Sequence, residues 1–185
     1  MNKNIENYIF HKENFLDEKY CENSIDELNE CEWQKHEEYY SEQDEPEAIQ
    51  QWDFSFEVGM INENIIQNLH PAILEYIENL KFDWFNGWTA YSVLKFIRYC
   101  PGQTMENHCD HIQSLFDGER KGIPILSLIG ILNDDYEGGE LIMCGDKKID
   151  TKKGDLIIFP SNFLYPHEIT PVTKGVRYSY VSWVW

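Results

Sequence analysis

Hydrophobic and polar positions change rhythm once along the chain, near Gly87. Before that point the spacing is helical. Ile65, Ile66, Leu69, Ile73, Leu74, Ile77 and Leu80 fall on one face and predict an amphipathic helix, with Asn62 as its cap. Pro71 interrupts this run and predicts a kink or a division into two helices. Upstream, Ser24-Ile25-Asp26-Glu27 has the S-x-x-E form of a capping box, and Leu28, Cys31 and Trp33 follow at helical spacing. A first helix from about Ser24 to Glu37 is the expectation. Asn7 to Phe15 is a short apolar opening suited to an edge strand. Acidic residues 41–50, with Pro46, read as a loop, either a solvated connection or a lid. Trp84, Phe85 and Trp88 read as core aromatics or as the lining of a cleft.

After Gly87 the pattern turns to short β-rich runs with turn residues between them. Tyr91 to Tyr99 is the first. Thr104–Ile112, Ile125–Leu132, Glu140–Cys144, Lys147–Asp150, Asp155–Phe159, His167–Val172 and Val176–Trp185 follow. Gly118, Asp134-Asp135, Gly138-Gly139, Gly145-Asp146, Gly154 and Gly175 punctuate them. Many short strands with no helical pattern between them predict an antiparallel double sheet. The fold class is therefore α+β: a double-stranded β-helix (jelly-roll) core with N-terminal helices packed on one face. Residues 1–185 form one domain in this reading, with 1–90 a mainly helical support and 91–185 the jelly-roll core.

Composition narrows the function. A formal charge of −18 leaves no basic stripe for tracking phosphates, so a nucleic-acid partner is not expected. Acidity of this kind also serves solubility. The polar first residues lead into no apolar signal region, and the run Ile123–Leu132 is far short of a membrane span, so no membrane partner is expected. Cys21, Cys31, Cys100, Cys109 and Cys144 form no C-x-x-C pair, which argues against structural zinc and for reduced thiols in a cytoplasmic protein. No oligomer interface is legible.

The candidate chemistry centres on His108-Cys109-Asp110. Residues two apart on a strand share a face, so His108 and Asp110 project together into the barrel while Cys109 enters a wall. His167 begins a later strand, expected across the mouth of the roll. Two imidazoles and one carboxylate suit a ferrous ion with open positions for a 2-oxo acid and dioxygen. Arg177 follows on the strand after the Gly175 turn, expected to run alongside that of His167, and its planar fork suits a distal carboxylate. Ser179 shares its face. Taken singly, His108 and Asp110 could be ordinary surface or turn residues, and Arg177 could pair with any of the many carboxylates. His70 and His111 read as non-ligands.

The residues from Leu94 to Trp185 resemble the catalytic domain of prolyl 4-hydroxylase-like Fe(II)/2-oxoglutarate dioxygenases. The resemblance rests on Phe96-Ile97-Arg98-Tyr99-Cys100-Pro101-Gly102-Gln103, His108-Cys109-Asp110, Leu132-Asn133-Asp134-Asp135-Tyr136-Glu137-Gly138-Gly139, Lys153-Gly154-Asp155 and the run from His167 to Ser179, with Trp183 beyond. It implies that His108, Asp110 and His167 hold Fe(II) and that Arg177 binds the far carboxylate of 2-oxoglutarate. Tyr99 would hydrogen-bond this cosubstrate, Ser127 would share its pocket, and Trp183 would lie on the substrate side. It further implies consumption of O2, with ascorbate as an accessory reductant, and hydroxylation of a C–H bond with release of succinate and CO2. The implied substrate is a peptidyl proline or another protein residue, with a free amino acid or other small molecule as the alternative. Where the family commonly reads R-x-x-T-x-x-x-Y-L-N, Pro124 stands in place of the Arg and Ile131 in place of the Tyr, changes that bear on the substrate. Rival readings are a cupin-like metal- or sugar-binding module without oxidation, a nucleic-acid demethylase with the same triad, and a purely interacting member of the fold.

Overall fold

A computed structural model describes residues 4–39, 48–55, 60–82, 87–88, 90–110 and 124–185. The chain opens with a 3-10 turn (Ile5–Tyr8), strand β1 (Phe10–Lys12) and helix α1 (Glu18–Asn29). The antiparallel strands β2 (Gln34–Tyr39) and β3 (Ala48–Ser55) and helix α2 (Met60–Leu80) follow. Next come β4 (Lys95–Tyr99), β5 (Met105–His108), β6 (Leu126–Ile131), β7 (Glu137–Gly138), β8 (Leu141–Met143) and β9 (Lys147–Ile149). The last strands are β10 (Leu156–Pro160), β11 (His167–Ile169), β12 (Val172–Lys174) and β13 (Arg177–Val184). A 7-stranded sheet runs β1-β10-β6-β13-β4-β3-β2 and a 4-stranded sheet runs β5-β11-β8-β9, with β12 paired to β7. This is the jelly roll expected from the sequence.

The large sheet is buried on both faces, and the alternation of its strands sorts side chains into two cores. Leu94, Phe96, Leu126, Leu128, Leu156, Ile158 and Tyr180 point one way and pack with Cys21 and Leu28 of α1 and Ile65, Leu69, Ile73 and Tyr76 of α2. Ile97, Tyr99, Ile129, Ile131, Ile157 and Phe159 point the other way and meet Leu141, Met143, Ile149 and Ile169 across the roll. The helices thus lie on one face, leaving the inner face for the site. β6 reads Leu-Ser-Leu-Ile-Gly-Ile and is buried throughout, as a strand covered on both sides must be.

Several N-terminal expectations are corrected. The first helix starts earlier than its S-x-x-E match: Asp17 caps it by accepting from the Tyr20 amide, and Ser24 lies inside it, buried, donating to the Tyr20 carbonyl. The polar stretch after Asn29 holds strand β2, at the edge of the large sheet, where its backbone pairs with β3. Pro71 neither ends nor divides α2; its neighbours Leu69, Ala72 and Ile73 are buried, so packing on the sheet holds the helix through the missing donor. β1, β2 and β3 add strands to a half expected to be mainly helical, and β1 is the edge strand foreseen at Asn7–Phe15. Trp84, Phe85, residues 41–47 and Gly118 lie outside the described residues, whereas Trp88 is half-buried beside the His70 ring.

Two glycines are tied to contacts. Gly154 has a φ of +89° where a Cβ would meet the Leu16 carbonyl, and the Leu16 amide donates to the Gly154 carbonyl, joining the N-terminal segment to the roll. Gly130 pairs with Tyr180 across β6 and β13, and a Cβ there would run into the fully buried Tyr180 ring. Gly130→Ala should therefore lower unfolding stability by about 1–3 kcal/mol, or more if the ring cannot move. Urea unfolding checks this, and an unchanged midpoint would contradict the packing described.

Candidate active site

The small sheet supplies the metal-type ligands. β5 and β11 are hydrogen-bonded neighbours with His108 opposite His167, and His167 is also opposite Met143 of β8. The two histidines are thus side by side in one sheet, not facing each other across the mouth; their rings lie 4.4 Å apart. β5 ends at His108, and Asp110 follows in a turn. Its carboxylate is delivered by that turn and not by strand alternation. His167 is buried, Asp110 nearly so, and His108 is half-exposed.

Each ligand is oriented by a second contact. His108 Nδ1 lies 2.8 Å from the Glu106 carbonyl and His167 Nδ1 3.2 Å from the Tyr165 carbonyl. A carbonyl only accepts, so both Nδ1 atoms carry the proton and both Nε2 atoms are left bare in the neutral ring. Those Nε2 atoms sit 3.5 Å and 3.8 Å from Asp110 Oδ1. Asp110 Oδ2 accepts from the Ser127 hydroxyl, and Ser127, with its one proton so engaged, accepts from Ser161. One ligand atom from each of His108, Asp110 and His167 lies within 4.8 Å of the others, a grouping able to hold a metal ion. Burial opposes ionisation of Asp110, yet the neighbouring His108 and His167 rings and the Ser127 hydroxyl hold its carboxyl well below the usual range. Burial pushes His167 below its ordinary value, against the pull of Asp110. Both groups are therefore set in the forms a metal requires: carboxylate and neutral imidazole.

The large sheet supplies the far end. β13 pairs with β4 and β6, so Arg177 reaches the cavity from the opposite sheet and not from a strand beside His167. The expected strand His167–Val172 divides at Thr170-Pro171 into β11 and β12, which belong to different sheets. Arg177 is 1% exposed. Its Nη1 donates to Ser179 Oγ at 2.9 Å, while its Nε and Nη2 are buried without a hydrogen-bond partner among the described residues. A buried guanidinium with donors unmet is costly unless an anion completes it. Tyr99 pairs with Arg177 across β4 and β13, its ring 5.3 Å from the guanidinium carbon, and its hydroxyl donates to the Met105 thioether at 3.7 Å. Burial raises the Tyr99 pKa, so it is a donor at neutral pH.

A cavity of about 110 Å³ joins these groups. His108, Asp110, His167, Tyr99, Arg177, Ser179 and Trp183 all line it. Ser127 does not: its hydroxyl holds Asp110, placing it behind the His-Asp-His cluster and not in the Arg177 pocket. Met105, Trp52 and Lys95 line the cavity and were missed. Lys95 was legible, since it shares the strand face of Ile97 and Tyr99. Trp52 carried no signal, because it sits in a stretch to which no element was assigned.

A jelly roll with a His-x-Asp…His grouping opposite a buried Arg offers ligands for a metal ion and a donor for an anion in one cavity. The chain matches the family model of the 2OG-Fe(II) oxygenase superfamily over residues 94–185. It is similar to a PKHD-type hydroxylase of Idiomarina loihiensis, with 36% identity over 90 residues, 47% of this chain and 39% of that protein. A PKHD-type hydroxylase of Stenotrophomonas maltophilia is 38% identical over 95 residues, 49% of this chain and 41% of that protein. The match thus spans about two-fifths of those relatives' length. In fold, the chain resembles the viral collagen prolyl hydroxylase of Paramecium Bursaria Chlorella virus-1 (TM-score 0.69, 20% identity, 96% of this chain and 94% of that one). It also resembles a Trichoplax adhaerens prolyl hydroxylase solved with a peptide fragment of the hypoxia inducible factor (TM-score 0.68, 18% identity, 97% of this chain and 84% of that one). Fe(II) and 2-oxoglutarate are the pair the family is named for, and the donor set fits both. No helix among the described residues is long and apolar enough to cross a membrane.

Because both histidines must be neutral to ligate, metal affinity should fall with pH. Mn(II) binding followed by electron paramagnetic resonance should weaken as the pH is lowered from neutrality through and below the ordinary histidine value of about 6.5, since burial holds His167 beneath it. Affinity unchanged across that window would contradict an imidazole-built site.

Proposed function

We propose that the protein is an Fe(II)- and 2-oxoglutarate-dependent hydroxylase whose substrate is a peptidyl proline, another protein residue or a related small molecule. The observation that carries this reading is the pairing, in one cavity, of a three-ligand cluster with a buried guanidinium whose Nε and Nη2 are unmet. A cupin-like metal module would leave those donors, and Tyr99, without purpose.

In this reading His108 Nε2, His167 Nε2 and Asp110 Oδ1 hold the iron. Bound iron, with 2-oxoglutarate and dioxygen, supplies the oxidising chemistry that converts a substrate C–H to C–OH, releasing succinate and CO2. Arg177 takes the far carboxylate of the cosubstrate through its free N–H groups, with Ser179 fixing the plane of the fork. Tyr99 turns its hydroxyl from the weak thioether acceptor to the same carboxylate. Ser161 and Ser127 position Asp110, and Trp183 forms the wall next to the ligands on the substrate side. Ascorbate would act as an accessory reductant from outside this donor set. The fold neighbours described as a collagen prolyl hydroxylase and as a prolyl hydroxylase with a peptide fragment support a protein or peptide substrate, while Pro124 and Ile131 depart from the motif of the family the sequence resembles. Five free thiols support a cytoplasmic setting.

Two substitutions separate the roles. Arg177→Ala should raise the 2-oxoglutarate dissociation constant by at least about thirtyfold, as expected when one partner of a buried charge pair is removed, with Mn(II) affinity close to wild type. Asp110→Ala should abolish 2-oxoglutarate turnover; undiminished succinate release by that variant with Fe(II) supplied rejects the assignment. Ser127→Ala should weaken Mn(II) binding about tenfold to a hundredfold, and Ser127→Thr should restore it. Equal affinities in all three proteins would remove Ser127 from the metal's support.

A further inference from the structure

One charged cavity residue has no part in that scheme. Lys95 is on the inward face of β4 with Ile97 and Tyr99, about 13 Å along the strand from Tyr99. Its Nζ lies 4.3 Å from the Trp52 ring centroid and 4.4 Å from that of Phe54. The Trp52 ring is itself fixed, stacked on His36 at 4.1 Å with an interplanar angle of 14°. Two aromatic faces thus hold an ammonium at the cavity wall. Burial alone pulls its pKa down to about 8, so the charge is carried in a poorly hydrated place.

The neighbours of Lys95 give it a direction. Its cross-strand partner is Val181, and Trp183, two residues further on β13, is opposite Ser127, which holds Asp110. Val181 and Trp183 line the same cavity as the ammonium and the His-Asp-His cluster and give it an apolar strip along β13. Arg177 and Ser179 are on the same face of β13, toward its other end. The cavity therefore carries two cations on one wall, with the metal ligands opposite, in a chain whose formal charge is −18. The general field of such a chain repels anions, so a cation at each end of one cavity reverses it locally. Arg177 serves the cosubstrate's carboxylate. We propose that Lys95, on its Trp52–Phe54 platform, binds a carboxylate of the substrate, so that the hydroxylated residue or its neighbour is acidic or carries a free carboxyl terminus. The aliphatic part of that substrate would lie on Val181 and Trp183, its C–H toward the metal ligands. This deepens the hydroxylase reading and rests on it.

The test uses binding, not turnover. The Mn(II) protein, saturated with 2-oxoglutarate so that Arg177 is occupied, is titrated with two matched pairs: N-acetyl-proline against its amide, and N-acetyl-prolyl-glutamate amide against the glutamine analogue. Paramagnetic broadening of the probe protons reports both affinity and closeness to the metal. One pair should show the anion binding about tenfold or more tightly than its neutral twin. The first pair assigns the carboxylate to the hydroxylated residue itself, the second to an acidic neighbour. Lys95→Met should level the two members, and Lys95→Arg should keep the preference. Equal binding within both pairs, no binding of any probe, or a preference that survives in Lys95→Met would overturn the proposal. Failure of the wild type to bind 2-oxoglutarate would instead strike the cosubstrate reading, and the same pairs on the Mn(II) protein alone would still decide the role of Lys95.

Discussion

Everything at the site depends on the register of β13 between β4 and β6. Pairing of Arg177 with Tyr99 and of Ser179 with Ile97 puts Arg177, Ser179, Val181 and Trp183 on the cavity side, and Tyr178, Tyr180 and Ser182 on the other. A slip of one residue would exchange the two sets, driving the buried Tyr180 into the cavity and Arg177 into the helix-packed core. The sheet cannot tolerate this, since both of its faces are buried and differently composed. The apolar face that anchors α1 and α2 therefore also aims the guanidinium.

Charge placement follows from the same geometry. Arg177 enters from the large sheet and the His-Asp-His cluster from the small one, so opposed groups face each other without neutralising each other directly. Within the cluster, the carbonyls of Glu106 and Tyr165 fix the ring tautomers and the hydroxyls of Ser127 and Ser161 fix the carboxylate. The site is thus organised by backbone acceptors and small hydroxyls, which are short and lose little freedom when ordered. What they leave open is the inward side of three ligand atoms and two donors of a guanidinium.

Much of this was legible in the sequence because strand alternation and turn residues are local. The separation of His108 from Asp110, the Gly-marked breaks and the chemistry of His167 and Arg177 needed no knowledge of the partner strands. What escaped depended on those partners. The neighbouring placement of β5 and β11, and the assignment of β13 to the opposite sheet, are long-range pairings that no local spacing encodes. Ser127 illustrates the difference: its residue type was recognised, but its hydroxyl faces Asp110 because of where the turn after His108 falls. The start of β2 was read as the end of the first helix because Leu28, Cys31 and Trp33 follow the S-x-x-E match at helical spacing, while the pairing with β3 leaves no local signal. Trp52 and the aromatic seat of Lys95 depend on the same edge.

The central claim is that the metal cluster and Arg177 form one binding site. Calorimetric titration of the anaerobic wild-type protein with 2-oxoglutarate, with and without Mn(II), tests it most directly. Tight binding that requires the metal is the predicted result, because the cosubstrate must bridge both groups. Metal binding with no measurable 2-oxoglutarate affinity, as in a cupin-like module, would contradict it.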